Sequence, residues 1–140
     1  MRRLLKLAIG IILVSGPAAM ANGGSVEGRW LTDDGKAIVV IARCGGSLCG
    51  RIGRVLDSGP GVPDKDIMNS DTNLRRRPIL GLPVLYGFSV REGKWAGGTA
   101  YDPKSGSSYR ASLDTNADGS LRVTGCILFF CRSKRWTHQP

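Results

Sequence analysis

The sequence contains few of the residues and motifs that catalysis by a side-chain nucleophile requires. One histidine, His138, is present among 140 residues, and it lies near the end of the chain. A Gly-x-Ser-x-Gly elbow is absent, which argues against a Ser-His-Asp triad. We therefore predict no enzymatic activity, no cofactor and no metal centre. A hydrolase that uses paired carboxylates is an alternative only if Asp66, Asp71 and Asp102 lie close together in the fold.

Long apolar runs are equally scarce, and the one that exists is short. Leu7–Val14 follows a basic start and precedes Ala19-Met20-Ala21, the small-x-small pattern that signal peptidase reads. We predict a signal peptide over 1–21 and a single exported domain over 22–140, located in the periplasm or secreted. No second apolar segment follows, so the cleaved chain is not expected to span a membrane.

Acidic residues are in short supply. The chain has 20 Lys and Arg against 11 Asp and Glu, and loss of the signal removes three cations, which leaves a net charge of +6. A basic exported protein suits an anionic envelope component as partner, whereas nucleic acid is not expected. The densest run, Arg75–Arg77, precedes Pro78 and is either a solvated loop or a rim that contacts anions.

The four cysteines form two C-x4-C pairs and no C-x-x-C pair, which argues against dithiol redox chemistry. Strand-like segments flank Gly45-Gly46-Ser47, so Cys44 and Cys49 would face each other across a hairpin. We favour the disulfides Cys44–Cys49 and Cys126–Cys131, while cross-pairing and a zinc site remain alternatives. Ile127–Phe130 is too apolar for an ordinary exposed turn. It is expected to fold over one end of the domain, with contact to a membrane or a hydrophobic partner as the alternative.

No amphipathic helix of ten or more residues is evident, and short strands alternate with turns along most of the chain. The strand-like segments are 28–32, 36–43, 49–56, 84–90, 95–101, 109–113, 121–125 and 131–137. About eight strands joined by sequential hairpins predict an all-β fold, a single antiparallel up-and-down β-barrel. The interior of such a barrel is either filled by side chains or holds one small ligand.

Alternation along the strands predicts a set of inward-facing aromatic side chains that line a pocket. The set consists of Tyr86, Phe88, Trp95, Tyr101 and Tyr109. On this hypothesis they contact an apolar or amphipathic ligand, and Arg77 engages its anionic head. A fully packed core without a cavity is the alternative.

Gly28-Arg29-Trp30 is suited to the start of a barrel, where the glycine allows close approach of chains and the indole plugs one end. Arg132 or Arg135 on the last strand would stack over that ring. Trp136 shares strand parity with Arg132, so it too is a candidate for this cation–π contact.

Taken in order, the motifs resemble a known family. They are Gly28-x-Trp30, Cys44-Gly45, Leu48-Cys49-Gly50, Asp66-x-x-Asn69, Arg77-Pro78, Gly81-Leu82, Trp95-x-Gly97-Gly98, Tyr101-Asp102-Pro103-x-Ser105-Gly106, Tyr109, Gly125-Cys126 and Trp136-Thr137. In combination they are similar to the exported bacterial proteins of domain-of-unknown-function family 2147. The resemblance implies a small lipocalin-like β-barrel and no established activity. The family pattern has an arginine after the final Trp-Thr, where this chain has His138, which is predicted to be exposed and inert.

Two polar clusters lie in predicted loops. Asp66, Asn69 and Asp71 fall in the long stretch from Asp57 to Pro78, where they form either a polar site at the barrel mouth or caps and turns that shape the loop. Asp114, Asn116 and Asp118 match the first half of a calcium loop, but its twelfth position is Gly125. An Asp-Gly hairpin turn accounts for this stretch, and calcium binding is left open.

Two functions follow from these observations. The first is binding and carrying of a small apolar or amphipathic molecule in the periplasm. The second is an envelope-associated interaction module that uses its basic and apolar outer surface, with Arg75–Arg77 and Ile127–Phe130 as contacts and no ligand inside.

Overall fold

Antiparallel strands make up most of the chain in the computed structural model, which describes residues 25–140. The strands of this part are β1 Gly28–Leu31, β2 Ala37–Cys44, β3 Ser47–Val55, β4 Pro83–Tyr86, β5 Ser89–Arg91, β6 Lys94–Asp102, β7 Ser107–Thr115, β8 Leu121–Ile127 and β9 Phe130–Gln139. One turn of 3₁₀ helix, Thr72–Leu74, lies in the loop between β3 and β4. The expected signal peptide, 1–21, lies outside the described residues.

The strands close into a barrel because each end of the sheet finds a partner. The first and last strands pair, with Trp30 opposite His138, and β4 pairs with β6, with Leu85 opposite Ala100. β5 also pairs with β6, so β4 and β5 together occupy one position in the ring. The predicted all-β, antiparallel, up-and-down barrel of eight strand positions is confirmed.

Two disulfides hold hairpins at opposite ends of the barrel. Cys44 and Cys49 link β2 to β3 with their Cα atoms 5.8 Å apart. Cys126 and Cys131 face each other across β8 and β9, with Cα atoms 4.1 Å apart. These are the pairs that the hairpin spacing favours, and the cross-pairing and zinc alternatives are not formed. The Cys126–Cys131 end carries the loops 32–36, 56–82 and 103–106, and we call it the open end.

The opposite end, called the closed end here, is filled by large apolar side chains. Trp30, Phe88 and Leu113 are each 1% exposed or less, and the Trp30 indole N–H donates to the Val26 carbonyl at 2.9 Å. A β-carbon at Gly98 would overlap the Phe88 ring, so this glycine lets the ring pack against the strand. Burial of this cluster supplies much of the hydrophobic stabilisation of the barrel.

The long loop between β3 and β4 is held in shape by backbone hydrogen bonds within it. Lys65 bridges Pro78 in antiparallel fashion, and the Asp66 amide donates to the Arg77 carbonyl at 2.9 Å. The Met68 carbonyl lies against Gly106 in the turn between β6 and β7. The loop is therefore docked against the rim of the open end.

Candidate functional site

A cavity of about 530 Å³ enters the barrel from the open end. Its inner walls are apolar and come from six strands, through Val39, Ile52, Leu85, Ala100, Val123 and Trp136. Residues of the 32–36 and 103–106 loops line its mouth. The volume lies within the roughly 300–1,000 Å³ that is typical of small-molecule sites. The barrel is therefore packed at one end and hollow at the other.

Charged side chains surround the mouth, and most of them are paired. The ion pairs are Lys36 with Asp57 at 3.1 Å, Lys134 with Asp33 at 3.1 Å, and Lys104 with Asp34. These groups are well solvated, so each pair contributes little to stability, roughly 0–1 kcal/mol. Their effect is to neutralise one another around an apolar interior.

Arg132 differs from these cations. It lies on β9 opposite Gly125 and has the same parity as Lys134 and Trp136, and all four residues line the cavity. Among the described residues, no carboxylate lies within ion-pair distance of Arg132. Gly125 carries no side chain, which leaves room beside the guanidinium. From sequence, Arg132 is predicted to stack over a tryptophan, whereas in the structure it lines the cavity.

Trp136 forms part of the cavity wall further along the same strand. It is 8% exposed, and its indole Nε1 is buried with no hydrogen-bond partner among residues 25–140. A buried donor without an acceptor costs about 1–3 kcal/mol. A polar acceptor entering the cavity beside this indole would relieve that cost.

Two of the five aromatic side chains proposed for the pocket line it. Tyr109 stands opposite Ala100 on the inner face. Tyr101 reaches the cavity only at the rim, because its hydroxyl is directed to Asp66 in the long loop, at 2.5 Å. Arg77, proposed for the ligand's head group, does not line the cavity and pairs with Asp66 instead.

The other three aromatic residues lie elsewhere. Phe88 is buried in the closed end, Tyr86 is 41% exposed, and Trp95 is half-buried with the Arg43 guanidinium 5.1 Å from its ring centre. On β6, simple alternation fails because the strand has an irregularity between Trp95 and Gly98, where Gly97 adopts a φ of +68°. Such a bulge changes which side chains face inward.

Asp66 is the centre of a buried polar cluster, which we call the Asp66 cluster. Its carboxylate is fully buried and accepts hydrogen bonds from Tyr101, from Asn69 at 2.8 Å and from Arg77 at 3.0 Å. Burial raises the pKa of Asp66, but these hydrogen bonds and the Arg77 charge outweigh it and hold the pKa below its ordinary value. Burial and the Asp66 carboxylate raise the pKa of Tyr101 to about 12, so its hydroxyl remains a donor.

The other carboxylates considered for hydrolysis do not join this cluster. Asp71 caps the Thr72–Leu74 turn by accepting from the Asn73 amide at 2.9 Å. Asp102 accepts from the Lys104 amide at 3.0 Å and from the Ser105 hydroxyl at 3.1 Å. Each of these two carboxylates therefore stabilises a turn.

The barrel-end contacts also differ from the predicted ones. No arginine stacks on Trp30 in the described residues; the His138 ring meets it edge-on, with ring centres 5.2 Å apart. Arg132 is at the opposite end of β9, and Arg135 pairs with Asp118. His138 is exposed as predicted, but it covers the edge of the Trp30 indole, which the sequence did not indicate.

The stretch from Asp114 to Ser120 forms the turn between β7 and β8. Asn116 binds the Ser120 hydroxyl at 2.8 Å and the Arg122 guanidinium at 2.7 Å. Ser120 and Arg135 hold the pKa of Asp118 below its ordinary value. Within residues 25–140, no group of three or more His, Cys, Asp or Glu is placed to hold a metal ion.

The segment Ile127–Phe130, called the apolar tip here, projects from the open end. Its four side chains are 55%, 87%, 97% and 82% exposed in chain order. The expectation that the segment folds over the barrel was wrong, because the Cys126–Cys131 disulfide and β8–β9 pairing up to Ile127 and Phe130 carry the hairpin straight outward. Ile127 and Phe130 line the edge of the cavity, so the tip adjoins its mouth.

Comparison with known proteins agrees with this architecture. Residues 28–138 match the family described as "Uncharacterized protein conserved in bacteria (DUF2147)". Protein HP1028 from the human pathogen Helicobacter pylori, described as a member of the lipocalin family, has a similar structure with a TM-score of 0.72. The two chains are 21% identical over 83% of this chain and 84% of that one, a likeness that establishes the fold. No curated protein matches. In the described part of the chain, no helix has the length and apolar character needed to cross a membrane.

Proposed function

Starting from the premise that this chain belongs to the bacterial family DUF2147 and has a lipocalin-like fold, we propose that it binds and carries a small apolar or amphipathic molecule. The observation that supports this most strongly is the cavity of about 530 Å³, closed at one end by packed side chains and open at the other. An eight-stranded barrel is just wide enough to hold one small ligand.

The chemistry of the cavity favours a ligand with an apolar body. Val39, Ile52, Leu85 and Val123 offer carbon surface to the cavity. Covering such surface with a ligand contributes roughly 25 cal/mol per Å² of apolar area. Polar and charged side chains occur at the mouth, so a polar end of the ligand would remain there, near water.

We assign this function to the periplasm or to the cell exterior. The chain holds two disulfides, and disulfides persist in oxidising compartments and are rare in the cytosol. The signal-peptide pattern over 1–21 supports the same location.

Replacing Ala100 by leucine tests the cavity directly. Ala100 faces inward opposite Tyr109 and Leu85, so the added carbon atoms would occupy ligand volume. We expect isothermal titration calorimetry to show that the unmodified protein binds dodecanol and that Ala100→Leu weakens binding by about tenfold or more.

Thr99→Leu is the matched control, because Thr99 lies on the same strand but faces outward. This variant should bind dodecanol like the unmodified protein. An unmodified protein that takes up no dodecanol would refute the proposal, and equal affinities for the two variants would show that the ligand binds elsewhere.

The apolar tip supports a second candidate function, association with the cell envelope through the outer surface. Four consecutive apolar residues stand exposed at the open end, and the exported chain is basic. Exposed apolar groups of this kind mark interaction sites. The Arg75–Arg77 run contributes less than its charge suggests, because Arg75 donates to the Asn69 carbonyl at 2.7 Å and Arg77 pairs with Asp66.

The double variant Leu128→Asn with Phe129→Ser tests this second function. Leu128 has a φ of +54°, a conformation that asparagine tolerates well, so the turn should be retained. Binding to vesicles of phosphatidylglycerol and phosphatidylethanolamine, measured by sedimentation, should fall about tenfold or more because two large apolar contacts are lost. Unchanged sedimentation would exclude the tip as an envelope contact, and dodecanol binding serves as the check that the barrel is intact.

A further inference from the structure

The charges that line the cavity are not all paired. Asp33 and Asp34 pair with Lys134 and Lys104, and Lys36 is paired with Asp57. In the part of the chain that the structure describes, the Asp102 carboxylate oxygens accept hydrogen bonds only from the Lys104 backbone amide and the Ser105 hydroxyl. Arg132 is left as a lining cation without a carboxylate partner among residues 25–140. Within this described part, the mouth of the cavity therefore presents one unpaired cation at a defined position, Arg132, and one carboxylate without an ion-pair partner, Asp102.

The position of Arg132 suits a ligand that spans mouth and interior. The β9 side chains Arg132, Lys134 and Trp136 share the inner face, and their partners on β8 are Gly125, Val123 and Leu121. Arg132 and Trp136 are four residues apart, a separation of about 13 Å along an extended strand. One edge of the cavity thus runs from a free guanidinium at the mouth to a buried indole in the interior.

The surroundings of Arg132 leave space for a head group. Its cross-strand neighbour is Gly125, and a β-carbon there would already approach the Tyr109 β-carbon to 3.4 Å. A side chain at this position would therefore fill the space beside the guanidinium and Tyr109. The planar guanidinium carries several N–H donors in a fork that matches the two oxygens of a carboxylate or a phosphate.

We propose that the ligand is an anionic amphiphile and that Arg132 binds its carboxylate or phosphate head group, while the tail occupies the cavity. This inference rests on the proposed function, since it assigns the ligand class of the same cavity. Lys134 contributes less, because Asp33 already neutralises it at 3.1 Å. Arg77, which the sequence indicated for this role, is committed to the Asp66 cluster.

The test compares ligands that share a tail and differ in the head. Dodecanoate, dodecyl phosphate and dodecanol are titrated at neutral pH into the full exported domain, below the concentrations at which they form micelles. We expect at least one of the two anions to bind about tenfold or more tightly than dodecanol. The order of the two anions identifies which head group the site prefers.

Arg132→Gln should abolish this preference by weakening the binding of the preferred anion to about the level of dodecanol, because glutamine keeps a side chain at the mouth but removes the charge. Arg135→Gln is the matched control: Arg135 is on the same strand, faces outward and pairs with Asp118. This control should retain the preference for the anion.

The outcomes separate the two proposals. Equal affinity of the unmodified protein for dodecanol and both anions would overturn the anionic ligand class and leave the binding function standing. Preserved anion preference in Arg132→Gln would overturn the role of Arg132. Binding of none of the three probes would overturn the proposed function itself.

Discussion

Replacing Asp66 by alanine should lower the free energy of unfolding by about 3 kcal/mol. The carboxylate is fully buried and accepts from Tyr101, Asn69 and Arg77, so its removal leaves three donors without their acceptor. In the variant, Arg77 can be hydrated in part, since 36% of its side chain is exposed. The loss of unfolding free energy is therefore smaller than for a fully buried ion pair. Urea unfolding followed by tryptophan fluorescence measures the difference.

Asp33→Ala is the matched control for this substitution. Asp33 also pairs with a cation, Lys134 at 3.1 Å, but 37% of its side chain is exposed. Loss of such a pair should change the free energy of unfolding by less than about 1 kcal/mol. If both substitutions had equally small effects, the Asp66 cluster would not be holding the long loop to the barrel.

The contribution of Asp66 should also depend on pH in a defined direction. The pKa of this carboxyl is lowered on folding, from an ordinary value of 3.8. Its ionised form therefore adds stability at pH values above 3.8, and this stability is lost as the pH falls through the lower pKa of the folded state. The difference in unfolding free energy between the unmodified protein and Asp66→Ala should accordingly narrow on acidification below 3.8.

The number and pairing of the strands could be predicted from sequence because both depend on local signals. β-branched runs such as Ile38–Ile41 mark strands, and short turns fix their neighbours. The C-x4-C spacing likewise reports on a hairpin, since both cysteines belong to adjacent strands. In the same way, Gly28-x-Trp30 and the later motifs together were sufficient to identify the family.

The face on which the aromatic side chains of β6 lie could not be predicted, because an irregularity within the strand shifts the alternation. The β6 bulge breaks the alternation between Trp95 and Tyr101: Trp95 lies opposite the buried Leu113 at the closed end, and Gly98 takes the next inward position. Tyr101 illustrates a second limit: its hydroxyl finds Asp66, a residue 35 positions earlier in the sequence. No local pattern indicates a partner at that distance, so the docking of the long loop was missed.

Arg132 was misassigned for a different reason. From sequence, the arginines of the last strand are predicted to stack over a tryptophan at the end of the barrel. Yet Arg132, Lys134 and Trp136 have the same parity, so an inward-facing Trp136 already implies two inward-facing cations. That signal was present in the sequence. This parity indicates cavity-lining cations only once β9 is known to border a cavity and not a packed core.

Replacing Gly106 by alanine should lower the free energy of unfolding by about 2–4 kcal/mol. Gly106 has a φ of +71°, which disfavours any residue with a β-carbon. A β-carbon there would also overlap the Met68 carbonyl of the long loop. The backbone strain and the overlap both lower stability, because Gly106 is the point at which the turn contacts the docked loop. Urea unfolding again provides the measurement.

Gly119→Ala separates these two contributions. Gly119 has a similar φ of +82°, but a β-carbon there would have no atom within 4 Å. It should therefore show only the backbone strain, about 1–2 kcal/mol. The additional loss of unfolding free energy in Gly106→Ala then measures how strongly the long loop is docked. Equal losses of unfolding free energy in the two variants would mean that the loop does not contact the turn.

A second readout is ligand binding, because Tyr101 borders the cavity and binds Asp66 in the long loop. A loop displaced from Gly106 should loosen the rim, so dodecanol affinity should fall in Gly106→Ala but not in Gly119→Ala.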